Sequence, residues 1–170
     1  MTKPQVTLTL SEITEGAMIG GLRHGFSCEQ KRTPAHGFDA TRFSALGSHC
    51  EGACGEIAFA KWRNLYWPAR VNNFKEADIG DNIQIRTTAR HDGELVVRND
   101  DLAKIPDHVF ILVTGLCPNY QIHGWIYGHE AKREEFKKAP GGRPPAYFVP
   151  QSELRSLWRN MPAELRSLDG

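Results

Sequence analysis

The run Val109-Phe-Ile-Leu-Val113 carries apolar side chains at five successive positions. Successive side chains of a strand point to opposite faces, so this strand is hydrophobic on both. Such a strand belongs in the centre of a sheet that is covered on both sides. It is also the longest unbroken apolar stretch in the chain, and far short of the roughly 20 residues that span a bilayer.

Around this strand the hydrophobic pattern has period two. Ile83–Thr88 alternates apolar and polar residues, Glu94–Arg98 does so over a shorter stretch, Tyr120–Tyr127 makes another strand, and Ala146–Val149 a last short one. Upstream, Val6, Leu8 and Leu10 alternate as a short strand. Ser11 then caps an expected helix through about Arg32, although Gly16, Gly20, Gly21 and Gly25 are poor helix formers. Thr33 to Leu46 reads as a loop. Ser48 is the expected N-cap of a helix from Cys50 to Leu65, whose apolar stripe is Cys50, Ala53, Cys54, Ile57, Ala58 and Leu65. Lys132–Lys138 reads as a short charged helix broken by Pro140, Gly141, Gly142 and Pro144, and Ser152 as the cap of a terminal helix near Trp158. The expected fold is α/β (α+β), a single mixed sheet flanked by helices. One domain spans 1–170: a strand and helix extension over 1–47, a sheet core over 48–150, and a C-terminal helix and tail over 151–170.

Charge narrows the function classes. Lys plus Arg is 21 and Asp plus Glu is 20, a net charge of +1, so bulk charge does not drive the chain onto nucleic acid or membrane. The N-terminal residues contain no apolar leader, which implies a cytoplasmic protein with Cys28, Cys50, Cys54 and Cys117 reduced. Cys50 and Cys54, one helical turn apart beside His49, suggest zinc only if Cys28, His24 or His36 supply further ligands. Otherwise they are small packing residues.

The chemistry-bearing stretch is Gly55-Glu56 on the second helix followed by Asp78-Ile-Gly-Asp81-Asn-Ile-Gln84-Ile-Arg86. Gln84 and Arg86 share one face of their strand, and Ile83 and Ile85 the other. A turn at Gly80-Asp81 folds Asp78 back beside Ile83 or Gln84. A carboxylate, an amide oxygen and a cation then converge at one edge of the sheet, and Glu56 flanks its helix's apolar stripe, able to lean over the same edge.

That arrangement resembles the PD-(D/E)XK, or restriction-endonuclease-like, nucleases, in which a helix glutamate, an aspartate after a turn and a strand-borne Glu/Gln-x-Lys build one metal site. The resemblance equates Glu56 with the helix glutamate, Asp78 with the aspartate, and Gln84-Ile-Arg86 with Glu-x-Lys. It implies a restriction-endonuclease-like core and a divalent-metal-dependent DNA nuclease, with Mg²⁺ or Mn²⁺ held by Glu56 and Asp78 or by Asp81 in its place. Gln84 would complete the shell and Arg86 would contact phosphate. Arginine stays protonated and cannot serve as the general base, so the alternative is a catalytically inactive nuclease-like module that binds DNA or a host protein. The wider sequence, with Gly52-Ala-Cys-Gly-Glu-Ile-Ala-Phe-Ala-Lys61, Phe110-Ile-Leu-Val-Thr-Gly115 and Gly124-Trp-Ile126, is similar to small phage and mobile-element proteins. A structural reading stands beside these: Asp78, Gly80, Asp81 and Asn82 also compose an ordinary surface turn.

Basic residues mark where DNA would lie. Arg90 and His91 follow the Ile83 strand, Arg98 ends the next, and Lys132, Arg133, Lys137, Lys138 and Arg143 cluster around the short helix and the turn after it. The bland reading of that cluster is a solvated helix face. His123 and His129, near one strand end, make a weak metal pair. Asp100-Asp101 is expected to begin a turn.

Overall fold

The structure, a computed structural model, describes residues 2–30, 42–71, 76–105, 107–157 and 165. Element order is β1 (Gln5–Thr7), α1 (Leu10–Glu29), α2 (Arg42–Arg63), β2 (Ile83–Thr88), β3 (Leu95–Arg98), α3 (Asn99–Lys104), β4 (Val109–Leu116), β5 (Asn119–Tyr127), α4 (Gly128–Ala131), β6 (Lys137–Lys138) and β7 (Ala146–Val149).

The class is mixed α+β, but the strands form two sheets rather than one. The larger is ordered β1-β5-β4-β2 and the smaller β3-β7-β6. In the larger, β4 runs parallel to β2 and antiparallel to β5. The doubly apolar β4 is the reason for the second sheet. Val109, Ile111 and Val113 join one core with Cys54, Ile57 and Ala58 of α2. Phe110 and Leu112 point the other way and join Leu95, Val97, Tyr147 and Val149 of the smaller sheet. The expected alternation within β3 and the expected short strand β7 are present, but those strands pair with each other, Leu95 opposite Val149 and Arg98 opposite Ala146.

Helix boundaries move for local reasons. Thr9, not Ser11, caps α1: its hydroxyl accepts from the Glu12 amide at 3.4 Å, and its own amide donates to Glu12 Oε2 at 2.6 Å. This reciprocal box satisfies two otherwise orphaned donors. The helix ends at Glu29 rather than near Arg32. α2 starts at Arg42, so Ser48 lies inside it and residues 42–46, expected as loop, are helical; 33–41 of that loop, including His36, lie outside the described residues. α1 packs closely on α2 at Gly16 and Gly20, where a Cβ would overlap Cys54 Sγ and the Cys50 backbone.

The expected charged helix over 132–138 is replaced by a 3₁₀ turn at Glu134–Phe136 and β6, which follow the short α4. The side chain that decides this is Phe136, buried in the second core, where a solvent-facing helix would leave it wet. Asp100 and Asp101 lie in α3 rather than a turn. Ser152 sits within a 3₁₀ turn, Gln151–Glu153, instead of capping a helix, and Trp158 lies outside the described residues. Among the described residues no helix is long and apolar enough to cross a membrane.

Candidate functional site

β2 is an edge strand of the larger sheet, and the site is built around that edge. Gly80 at φ +58° closes a tight turn in which the Asp78 amide donates to Ile83 O at 2.9 Å. The turn places the Asp78 carboxylate beside the outer rim of β2, where Oδ2 accepts the Ile85 amide at 2.7 Å. One outward donor of the edge is thereby satisfied by a side chain.

The two faces of β2 carry different groups. Ile83 and Ile85 belong to the α2-side core, and Thr87 presses on Gly55 of α2 so closely that a Cβ there would overlap it. Glu56 follows Gly55 and is buried at 6% exposure. Gln84 and Arg86 take the opposite face, in register with Phe110 and Leu112. Glu56 therefore does not share a face with Gln84 and Arg86, and the two halves meet only around the edge, at Asp78.

Glu56 is fully engaged. Arg23 of α1 grips it with two parallel bonds, NH1 to Oε1 at 2.6 Å and NH2 to Oε2 at 2.8 Å, and Trp67 Nε1 donates to Oε2 at 2.9 Å. Arg23 Nε donates in turn to the Arg70 carbonyl at 2.8 Å, while Arg70 bonds the carbonyl of Ala77, next to Asp78. Burial alone would lower the Arg23 pKa, but the Glu56 bonds outweigh it and hold the guanidinium above its ordinary value. Charged, bidentate pairs of this kind are the strong class of hydrogen bond.

Asp78 has the opposite balance. Burial and then the neighbouring Glu56 charge push its carboxyl up to about 7, against the pull of Arg86, the Ile85 amide and Arg23. A carboxyl displaced this far by burial plus a like charge marks a functional-site candidate.

On the other face, buried Gln84 donates through Nε2 to Glu76 O at 3.1 Å and lies 3.4 Å from His108 Nδ1, while Oε1 accepts from Arg86 at 3.4 Å. Arg86 bonds Asp101 at 3.0 Å and stacks 5.1 Å above the Phe110 ring. Its Nε is buried with no hydrogen-bond partner. Asp101 also accepts the Arg98 amide at 3.0 Å. Desolvation and then the Arg86 charge draw the Arg98 pKa down, with Asp101 and Asp100 opposing. The two guanidinium groups thus repel one another beside the acidic pair Asp100 and Asp101.

Mg²⁺ or Mn²⁺ does not fit this arrangement as it stands. Both Glu56 oxygens are claimed by cationic or indole donors, Gln84 Oε1 faces Arg86, and Asp81 sits exposed on the turn. Among the described residues no three His, Cys, Asp or Glu side chains are placed to hold a metal. Cys50 Sγ donates to Ala17 O at 3.6 Å across the α1–α2 contact, and burial pushes the Cys54 thiol up to about 12. Both are packing groups here. His123 lies between Lys3 Nζ and the Thr114 hydroxyl, each at 2.7 Å, and its pKa falls to about 4 through burial and then Lys3. His129 pairs with Asp107 at 3.4 Å instead.

The expected basic surface is largely self-compensated. Arg90 pairs with Asp92, Arg133 with Glu153 and Glu135, Lys137 with Glu134, and Lys138 with Glu94. Lys132 and His91 are exposed, and Arg143 is half-buried. Exposed pairs of this type are worth about 0–1 kcal/mol, so phosphate can exchange with them, but they form no standing positive field. Nothing in the local pattern singles out Arg23 or Trp67 as partners of Glu56. A signal for the face that Arg23 takes did exist: Gly16, Gly20 and Arg23 fall at i, i+4 and i+7, one helical face.

The fold and site define a mixed α+β chain with a carboxylate–guanidinium cluster around an edge strand. Compared with family models, curated proteins and solved structures, the chain matches none.

Proposed function

We propose that the chain is a nuclease-like module that binds DNA through its phosphates and does not hydrolyse it by a metal-dependent route. The observation that carries this reading is the Arg86–Arg98 pair: two mutually repelling guanidiniums, one with an orphaned Nε, where Asp101 bonds the Arg86 guanidinium but only the backbone amide of Arg98. A phosphate at the exposed Arg98 relieves that repulsion. Arg86 stands where the resembled nucleases carry lysine and is permanently protonated, which suits a clamp and not a base.

The test is fluorescence anisotropy of labelled duplex, branched and single-stranded DNA in EDTA across 50–200 mM salt, beside plasmid nicking in Mg²⁺ and Mn²⁺. Binding that weakens with salt is expected, with Arg86→Ala and Arg98→Ala each reducing the log–log salt slope by about 1. No nicking is expected. Absence of binding at 50 mM salt sinks the proposal. Nicking that a Glu56→Ala, Asp78→Ala double substitution abolishes replaces it with the metal-dependent nuclease, a second reading favoured by the raised pKa of Asp78 beside Glu56.

A further inference from the structure

We propose that Arg23 is a protein-borne cation standing in for a divalent ion at this sheet edge, and that removing its guanidinium turns the edge into a Mg²⁺ or Mn²⁺ site. The inference deepens the preceding reading, since it gives the reason why hydrolysis is absent.

Three oxygens converge on one guanidinium: both carboxylate oxygens of Glu56, at 2.6 and 2.8 Å, and the Arg70 carbonyl, at 2.8 Å. Arg70 also fastens the carbonyl of Ala77, which tethers the segment that carries Asp78 to the same helix pair. A carboxylate plus a backbone carbonyl makes an all-oxygen set, the donor chemistry that selects hard divalent cations over softer metals. The residues present are therefore suitable in kind and blocked in fact. The Arg23 and Glu56 side chains are only 15% and 7% exposed, so ion and guanidinium cannot occupy the place together.

Arg23 is not an incidental surface partner. α1 is held on α2 by Gly16 and Gly20, the latter three residues before Arg23, at contacts too close for any Cβ. The fork is thus delivered by a rigid helix pair and not by a mobile side chain reaching from solvent. The charge accounts agree: the Arg23 guanidinium balances the Glu56 carboxylate in a place closed to solvent. Loss of Arg23 leaves the buried Glu56 carboxylate without its bidentate cation, and a divalent ion supplies the missing charge.

The test is Mn²⁺ titration followed by electron paramagnetic resonance at pH 8, with thermal unfolding in EDTA and in Mn²⁺. Wild type is run beside Arg23→Met, which keeps the aliphatic stem, and Arg23→Met/Glu56→Gln. Arg23→Met is expected to bind one Mn²⁺ at least tenfold more tightly than wild type and to rise in Tm with Mn²⁺, and the double variant to lose both effects. Folded Arg23→Met with wild-type Mn²⁺ affinity overturns the proposal, as does tight binding that survives Glu56→Gln. Should Arg23→Met be unfolded in EDTA, recovery of its circular dichroism by Mn²⁺ supports the proposal and failure to recover overturns it. Wild-type DNA binding in EDTA is indifferent to all of these outcomes and decides the preceding reading separately.

Discussion

At the residue scale, Asp78 and Glu56 show how two carboxyls at one edge are driven apart in character. Glu56 receives three donors, while Asp78 receives one amide and a like charge. The raised pKa of Asp78 has a defined consequence for stability. Between the ordinary value of 3.8 and about 7 the folded state holds a proton that the unfolded state releases, so stability falls as pH rises through that window and is lowest above it. Asp78→Asn keeps an oxygen for the Ile85 amide and removes the charge. It should raise stability at pH 8 by up to about 4 kcal/mol, on the scale of 1.36 kcal/mol per pKa unit, and leave stability little changed at pH 4. Thermal melts of both proteins from pH 4 to 8 check this; parallel profiles would refute it. Arg23→Ala should act oppositely, costing about 3–5 kcal/mol by urea unfolding in EDTA because buried Glu56 loses its counter-charge. Much of this site was legible in sequence: the Gly80 turn, the Asp78 position and the shared face of Gln84 and Arg86 all follow from local rules. The partners Arg23 and Trp67 were not, since their contacts span 33 and 11 residues and no short-range pattern encodes them.

At the scale of elements, the α1–α2 contact sets where Arg23 arrives, and its glycines divide into two kinds. Gly20 is a contact glycine, whose Cβ would stand 2.5 Å from Cys50 Cα, whereas Gly21 has nothing within 4 Å. Gly20→Ala should therefore destabilise by about 1–3 kcal/mol through overpacking. Gly21→Ala should stabilise by about 0.5–1 kcal/mol through helix propensity alone. Chemical denaturation of the two variants checks the contrast, and equal effects would mean that the helices do not meet at Gly20. Strands were the legible elements, because period two in Ile83–Thr88 and the doubly apolar Val109–Val113 are strong local signals. Their grouping into two sheets was not legible: β3 pairs with β7 about 50 residues away, and alternation does not name a partner. Helix starts failed for a smaller reason, since Thr9 and Ser11 are both competent caps and only the reciprocal bond from Glu12 separates them.

At the scale of the molecule, β4 is the member common to both cores. Its odd residues support the α2-side layer and its even residues the small sheet, so neither layer can lose order without exposing one face of the same strand. This arrangement predicts one cooperative transition, not separate melting of the two layers. Trp62, Trp67 and Trp125, three of the chain's four tryptophans, pack in or against the α2-side core, while Phe110 lies in the other. Phe110→Ala should cost about 3–5 kcal/mol by cavity formation. Although it alters the layer away from those three tryptophans, the loss should shift tryptophan fluorescence and far-ultraviolet circular dichroism by the same amount. A fluorescence midpoint that stays at the wild-type value while the circular dichroism midpoint falls would show the small sheet melting by itself. The candidate site depends on the answer, because Glu56 stands on one layer and Arg86 on the other, joined through β2 and its neighbour β4.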